Sequence, residues 1–279
     1  DQTVVEAIKQ EYGFGEPIYV QYGKWIWKII TQGDFGKSFQ RGQPVTELIG
    51  DRLALTVALS LFALLVTWII AFPIGIYSAV RQYSIGDYVF TFLGFIGLAV
   101  PGFLIALVLM YSAFKYFNQS VGGLFSPEFT DAPWNWAKFV DLLKHLWIPT
   151  VIIALEGTAG LIRVMRANLL DELHKPYYTT AKAKGLSEFQ ALIQYPVRVA
   201  LNPWISSVGW ILPGLVSGAT IISVVLSLPT TGPMQLQALL NQDMYLAGSF
   251  VLLLSTLTVI GTLISDILLA WIDPRIRYQ

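Results

Sequence analysis

Few side chains in this sequence could do chemistry, and those few stand out against long apolar runs. Glu156 is the one carboxylate set well inside an uncharged stretch long enough to cross a bilayer. An ionisable group in such surroundings is costly and is read first as functional, taking a proton or meeting the ammonium end of a solute. The alternative is a protonated or hydrogen-bonded carboxyl at a helix interface, where Gly157 and Gly160 would allow close approach. A second cluster is Lys182 and Lys184 beside Gly185; a third is Arg163 and Arg166, three residues apart and so on one helix face. Other chemistries find no footing. With no Cys there is neither a disulfide framework nor a thiolate site, and with two His and no carboxylate cluster a metal would need a partner chain. The patterns G-x-x-x-x-G-K-[ST], G-x-G-x-x-G and G-x-S-x-G do not occur. A formal net charge of zero leaves no electrostatic footprint for nucleic acid.

The lysine pair belongs to a polar stretch, residues 175–203, KPYYTTAKAKGLSEFQALIQYPVRVALNP, between two apolar regions. Pro176 suits a first helical turn, where its missing N–H is not needed. A short helix through residue 184 follows, with Lys182 and Lys184 complementing the dipole at its C-terminus. Gly185 stands where a left-handed residue would stop it. Ser187 and Gln190 make an S-x-x-Q capping box that starts a second helix, which Pro196 bends or ends. Two short helices meeting at a glycine make a compact knob on a membrane surface, one that a partner could grip. Taken alone, the same residues also describe an ordinary solvated loop.

The composition requires a membrane: 54% of residues are hydrophobic and 13% charged, where soluble domains carry about 25% charged residues. Span-length apolar segments cover residues 53–80, 88–114, 146–162, 204–226 and 246–272. Pro101-Gly102 predicts a kink in the second. Residues 115–144 read as a polar loop with Trp134 and Trp136 at the interface. No repeat of solenoid length is visible, and helices are the spanning structure expected of such segments. The fold class is therefore an all-α polytopic membrane protein. Basic residues of the short loops, Arg81, Arg163, Arg166, Lys175, Lys182, Lys184, Arg198, Arg275 and Arg277, put the 81–87 turn, the polar knob and the C-terminus in the cytoplasm. Five spans then place residue 1 outside, which calls for an export signal or a preceding span upstream.

In the order Y-x-x-T-A-x-A-K-G-L (Tyr177 or Tyr178, Thr180, Ala181, Ala183, Lys184, Gly185, Leu186), followed by Arg198, Ala200, Leu201 and Pro203, the polar stretch resembles the EAA loop of ABC importer permeases. It is most similar to the dipeptide/oligopeptide/nickel branch. The resemblance extends over nearly the whole chain. Gly33-Asp34-Phe35-Gly36 with Ser38 and Pro44-Val45 is similar to the segment after that family's first span. Thr56, Asp87, Pro101 with Phe103, the Arg163/Arg166 pair, Asp266 and the Asp273-Pro274-Arg275-Ile276-Arg277 ending also match in order and spacing. Two positions depart: Ser223 stands where an acidic residue is usual, and Tyr195-Pro196 replaces a His-Ala pair.

The resemblance implies a type I importer permease fold, six spans in the family with the first missing here. It implies an extracytoplasmic segment over residues 1–51, a transmembrane domain over 52–279, and a coupling loop over 171–203 that docks on an ATP-hydrolysing subunit. The docking residues would be Tyr178, Thr180, Ala181, Lys182, Ala183, Lys184, Gly185, Leu186 and Arg198. Glu156 and Ser223 would touch the translocation path, and Arg163, Arg166, Asp266, Asp273, Arg275 and Arg277 would lie on the cytoplasmic rim. The partners implied are a second permease, two ATP-binding subunits holding ATP and Mg, an extracytoplasmic substrate-binding protein and the lipid of a bacterial inner membrane. The chain itself would bind no cofactor and carry out no catalysis, and its cargo would be short peptides or related solutes. A secondary transporter coupled through Glu156 is the rival reading; it would want several midplane carboxylates and repeat symmetry.

Overall fold

The computed structural model describes residues 15–117, 122–130, 132–217 and 219–272; of Glu156, Val208 and Ile272 only the backbone is described. The described residues are helical apart from loops and isolated bridging residues such as Lys37 with Pro44. The helices in chain order are α1 (Ile18–Gln32), α2 (Val45–Val80), α3 (Ile85–Ala99), α4 (Gly102–Phe117), α5 (Trp136–Leu173), α6 (Pro176–Ala183), α7 (Glu188–Gln194), α8 (Pro196–Ala200), α9 (Asn202–Ser206), α10 (Val208–Ser217), α11 (Thr220–Val225), α12 (Thr231–Leu240) and α13 (Met244–Ile272). They fall into two compact units, Asp1–Asp51 with Gln235–Leu253, and Arg52–Met234 with Leu254–Gln279.

In the first unit, α1 stops at Gly33, whose φ of 66° lets its own N–H and that of Asp34 reach back to the carbonyls of Ile29 and Lys28. Asp34 then accepts the Gly36 N–H at 2.9 Å, closing an Asx turn. A side chain at residue 36 would put its Cβ 2.9 Å from the Tyr245 ring, so only glycine fits. Trp25 donates its indole N–H to the Phe35 carbonyl at 3.0 Å. Ser38 donates its hydroxyl to the buried Asp243 carboxylate, which also accepts the Gln40 N–H at 3.4 Å. The G-D-F-G-x-S run is thus a helix stop, a turn, a close approach and an anchor.

In the second unit the core joins α2, α4, α5 and α11 through Leu59, Ala106, Ile148, Ile152, Ile222 and Leu226. Elsewhere large apolar side chains face outward, among them Ile69, Val108, Val259 and Leu263. That surface suits hydrocarbon, where helices satisfy their own backbone. Small residues make the tightest crossing: a Cβ on Gly261 would lie 2.7 Å from the Gly209 carbonyl oxygen, so α10 and α13 meet backbone to backbone. The Pro229–Gly232 turn is tied to α2, because Thr56 accepts the Thr231 N–H at 2.9 Å while donating to the Arg52 carbonyl at 2.7 Å.

Three helices among the described residues are long and apolar enough to cross a membrane, and the number reaches five when each of two bent pairs is taken as one span. Five is the number expected. The shapes differ from expectation in three places. The kink expected at Pro101-Gly102 is a full break, with α3 and α4 meeting at 99°. Val100 is extended (φ −91°, ψ 122°), as the ring of the following proline demands, and no helical hydrogen bond carries the chain through Pro101. The segment 204–226 is divided among α9, α10 and α11, with a 53° bend between Glu188–Ser206 and Gly209–Val225. The polar residues ahead of position 144 belong to α5, which begins at Trp136 under an Asn135 cap. Lys138 holds the Thr130 and Ala132 carbonyls at 3.3 and 2.5 Å, and Asp141 accepts the Ser126 N–H and hydroxyl, each at 2.7 Å.

Candidate functional site: the polar knob and the helices beneath it

The knob is built as its caps dictate. Lys175 is extended, and Pro176 opens α6. At its far end Gly185 adopts φ 90°, its N–H bonding Lys182 O at 3.0 Å and the Leu186 N–H bonding Ala181 O at 3.4 Å. That pair of bonds is a Schellman motif. A Cβ at residue 185 would meet nothing within 4 Å, so glycine is required there by φ and not by space. Ser187 then caps α7 by accepting the Gln190 N–H at 3.3 Å. Tyr195, at φ −117° and ψ −80°, breaks the chain before Pro196 opens α8.

The knob has two faces. Leu192, Val197 and Ala200 pack on Ala79 of α2 and on Met165 and Leu169 of α5, with Tyr178 half-buried at the edge. Ala181 and Ala191 are buried too. Thr180, Lys182, Ala183, Lys184, Gly185 and Arg198 are exposed and Leu186 is half-buried. Phe189 stands out at 72% exposure. Lys182 lies over the Tyr178 ring, 4.9 Å from its centroid, and 3.9 Å from Glu188. Tyr177 donates to Glu172 at the end of α5. Of the nine expected docking residues only Ala181 is wholly buried; it holds α6 down on the unit. Phe189 was not among them, and its signal was a large apolar residue two positions past the Ser187 cap.

Beneath the knob, Arg166 of α5 grips Asp87 of α3 through Nε–Oδ1 and Nη2–Oδ2 bonds of 2.9 Å each. Asp87 also accepts the Tyr83 N–H at 2.9 Å. Arg166 thus ties the α2–α3 turn to α5. A buried carboxylate needs such a partner, but nothing in sequence spacing says which one. Arg163 is exposed. Asp266 is exposed with no ion pair among the described residues; Asp273, Arg275 and Arg277, its expected neighbours on the rim, lie outside the described residues.

Glu156 belongs to α5, and its side chain lies outside the described residues. Its neighbour Gly157 does allow close approach, since a Cβ there would sit 3.2 Å from Thr67 of α2, whereas Gly160 faces open space. Ser223 is buried within α11 of the same unit. Among the described residues there is no group of three or more His, Asp or Glu that could hold a metal.

Residues 71–278 match the family described as binding-protein-dependent transport system inner membrane component. The chain is 37% identical over 275 residues to the oligopeptide transport system permease protein AppB of Bacillus subtilis, covering 98% of this chain and 85% of that protein. It is 30% identical over 283 residues to the peptidoglycan transport system permease protein YejB of Agrobacterium fabrum, covering 100% of this chain and 77% of that one. Among solved structures, an amino acid ABC transporter with histidines shares the fold at a TM-score of 0.50 and 16% identity, covering 83% of this chain and 95% of that chain. With several apolar helices of spanning length and a family match over three quarters of its length, the chain belongs to the binding-protein-dependent transport system inner membrane components, as a multi-pass membrane protein of the ABC permease fold.

Proposed function

We propose that this chain is the membrane-spanning permease of an ATP-driven importer of short peptides or related solutes, and that its knob is the coupling element. The observation that carries the reading is the two-faced packing of α6 to α8. A buried face fixes the knob to α2 and α5, while Lys182, Lys184, Phe189 and Arg198 are presented outward on a frame stiffened by the Schellman motif. A groove on an ATP-binding subunit would receive that outer face. A second permease would complete the path, and a substrate-binding protein would deliver cargo from outside. ATP and Mg would reside on the partner subunits, leaving this chain without catalysis of its own. Closure of two ATPase subunits would pull on the knob, and because the knob is packed on α2 and α5 those helices would follow it. The energy that shifts the permease between outward- and inward-open states then comes from ATP bound elsewhere. The orientation follows the basic residues: knob and C-terminus in the cytoplasm, residue 1 outside.

Peptide cargo is supported by the name of the Bacillus relative; the Agrobacterium relative extends the range to peptidoglycan-related solutes. Secondary transport through Glu156 has no comparable support. The test is co-purification of the tagged chain, co-expressed with its partner subunits, comparing wild type with Gly185→Pro and with Lys182→Glu/Lys184→Glu. ATPase subunits should accompany the wild type and fall away from both variants. A wild type that brings down no ATPase overturns the proposal.

A further inference from the structure

A trough of about 240 Å³ runs between α3 and α5. Phe90, Gly94, Phe95 and Leu98 line it from α3, and Ala159, Ile162, Arg163, Arg166 and Ala167 from α5. The α3 lining recurs at one-turn spacing over eight residues, so the trough is ~12 Å long at 1.5 Å per residue. Its depth comes from Gly94, where a Cβ would meet nothing within 4 Å. Beside it α3 and α5 are in close contact, Ala159 lying 3.6 Å from where a Cβ on Gly97 would be.

The two arginines differ. Arg166 is engaged by Asp87. Arg163 lies one turn further along the trough, is exposed, and makes no ion pair among the described residues. Thr91 is the only other polar residue of the lining. An exposed guanidinium lining a largely apolar trough beside a membrane span calls for an anion whose remainder is hydrocarbon. Basic pockets between membrane helices on the cytoplasmic side bind lipid headgroups for this reason.

We propose that the trough binds one anionic phospholipid of the cytoplasmic leaflet, its phosphate on Arg163 and one acyl chain between α3 and α5. The leaflet assignment rests on the orientation proposed above; the site itself does not. Arg163 thereby gains a counter-ion that the described residues do not supply, and the lipid fills space that Gly94 leaves open against the helix carrying the knob.

The test is native mass spectrometry of the full chain, with its partner subunits where they co-purify, released from mild detergent after titration with phosphatidylglycerol or phosphatidylcholine. The wild type should retain one phosphatidylglycerol in preference to phosphatidylcholine. Arg163→Gln should weaken that retention roughly fivefold, the size expected for one basic residue at a lipid surface. Gly94→Leu should abolish it by filling the trough, with unchanged thermal unfolding showing that the fold is intact. Equal retention of the two lipids by wild type, or undiminished phosphatidylglycerol binding by Arg163→Gln, overturns the proposal. A chain that captures no ATPase yet holds the lipid would sink the coupling reading and leave this one standing.

Discussion

Arg166 and Asp87, 79 residues apart, meet in two parallel hydrogen bonds of 2.9 Å. Asp87 is 3% exposed at its side chain and Arg166 26%, so the pair is shielded on one side and reachable on the other. Paired arginine and carboxylate forks gain geometric specificity as well as energy. The pair fixes the first turn of α3 to the half of α5 that leads into the knob.

Arg166→Gln should therefore destabilise the protein by about 3 kcal/mol, because it leaves the Asp87 carboxylate buried without its charge partner. Arg166→Lys should recover only part of the loss, since an ammonium cannot reproduce the fork. Thermal unfolding in detergent measures both. A neutral Arg166→Gln would mean that the contact contributes nothing.

At Gly185 the constraint is backbone conformation alone. Substitution by Ala should cost ~1 kcal/mol for the left-handed φ, Asn should cost less because it tolerates that region, and Val should cost more. Stability and ATPase capture should fall in the same order, Gly, Asn, Ala, Val. Capture that follows side-chain volume instead, with Asn worse than Ala, would assign the glycine to close approach by a partner.

The crossing of Gly209 and Gly261 has the opposite cause, since space is missing there. Gly261→Ala should cost about 2 kcal/mol through overpacking of α10 on α13, and Gly261→Leu should prevent assembly of the helices. Yield and thermal unfolding of the purified chain read both. An unchanged Gly261→Ala would show that the two helices can separate freely.

Much of the fold was legible because apolar runs of span length are unambiguous, and the knob was legible because Pro176, Gly185 and Ser187 are local signals with local causes. What failed to read had non-local causes. Pro101 announces a break, but its 99° is set by how α3 and α4 pack on α5, which no neighbouring residue encodes. Lys138 and Asp141 look like loop residues until their partners at 126–132 are seen. Arg166 with Asp87, Ser38 with Asp243 and Thr56 with Thr231 are each pairs distant in sequence. Each residue could be marked as needing a partner, and its position in the chain says nothing about which.

Helix α5 is 38 residues long, or ~57 Å at 1.5 Å per residue, nearly twice the ~30 Å of a hydrocarbon core. It therefore emerges into water at both ends, with the Ser126-bound turn at one and the knob at the other. Under the coupling proposed above, such a helix would act as a rocker arm. A tilt of roughly 10° about its midpoint carries each tip some ~5 Å, given that length. That motion would join the two aqueous compartments by one lever, a displacement on one side of the bilayer having an opposite counterpart on the other.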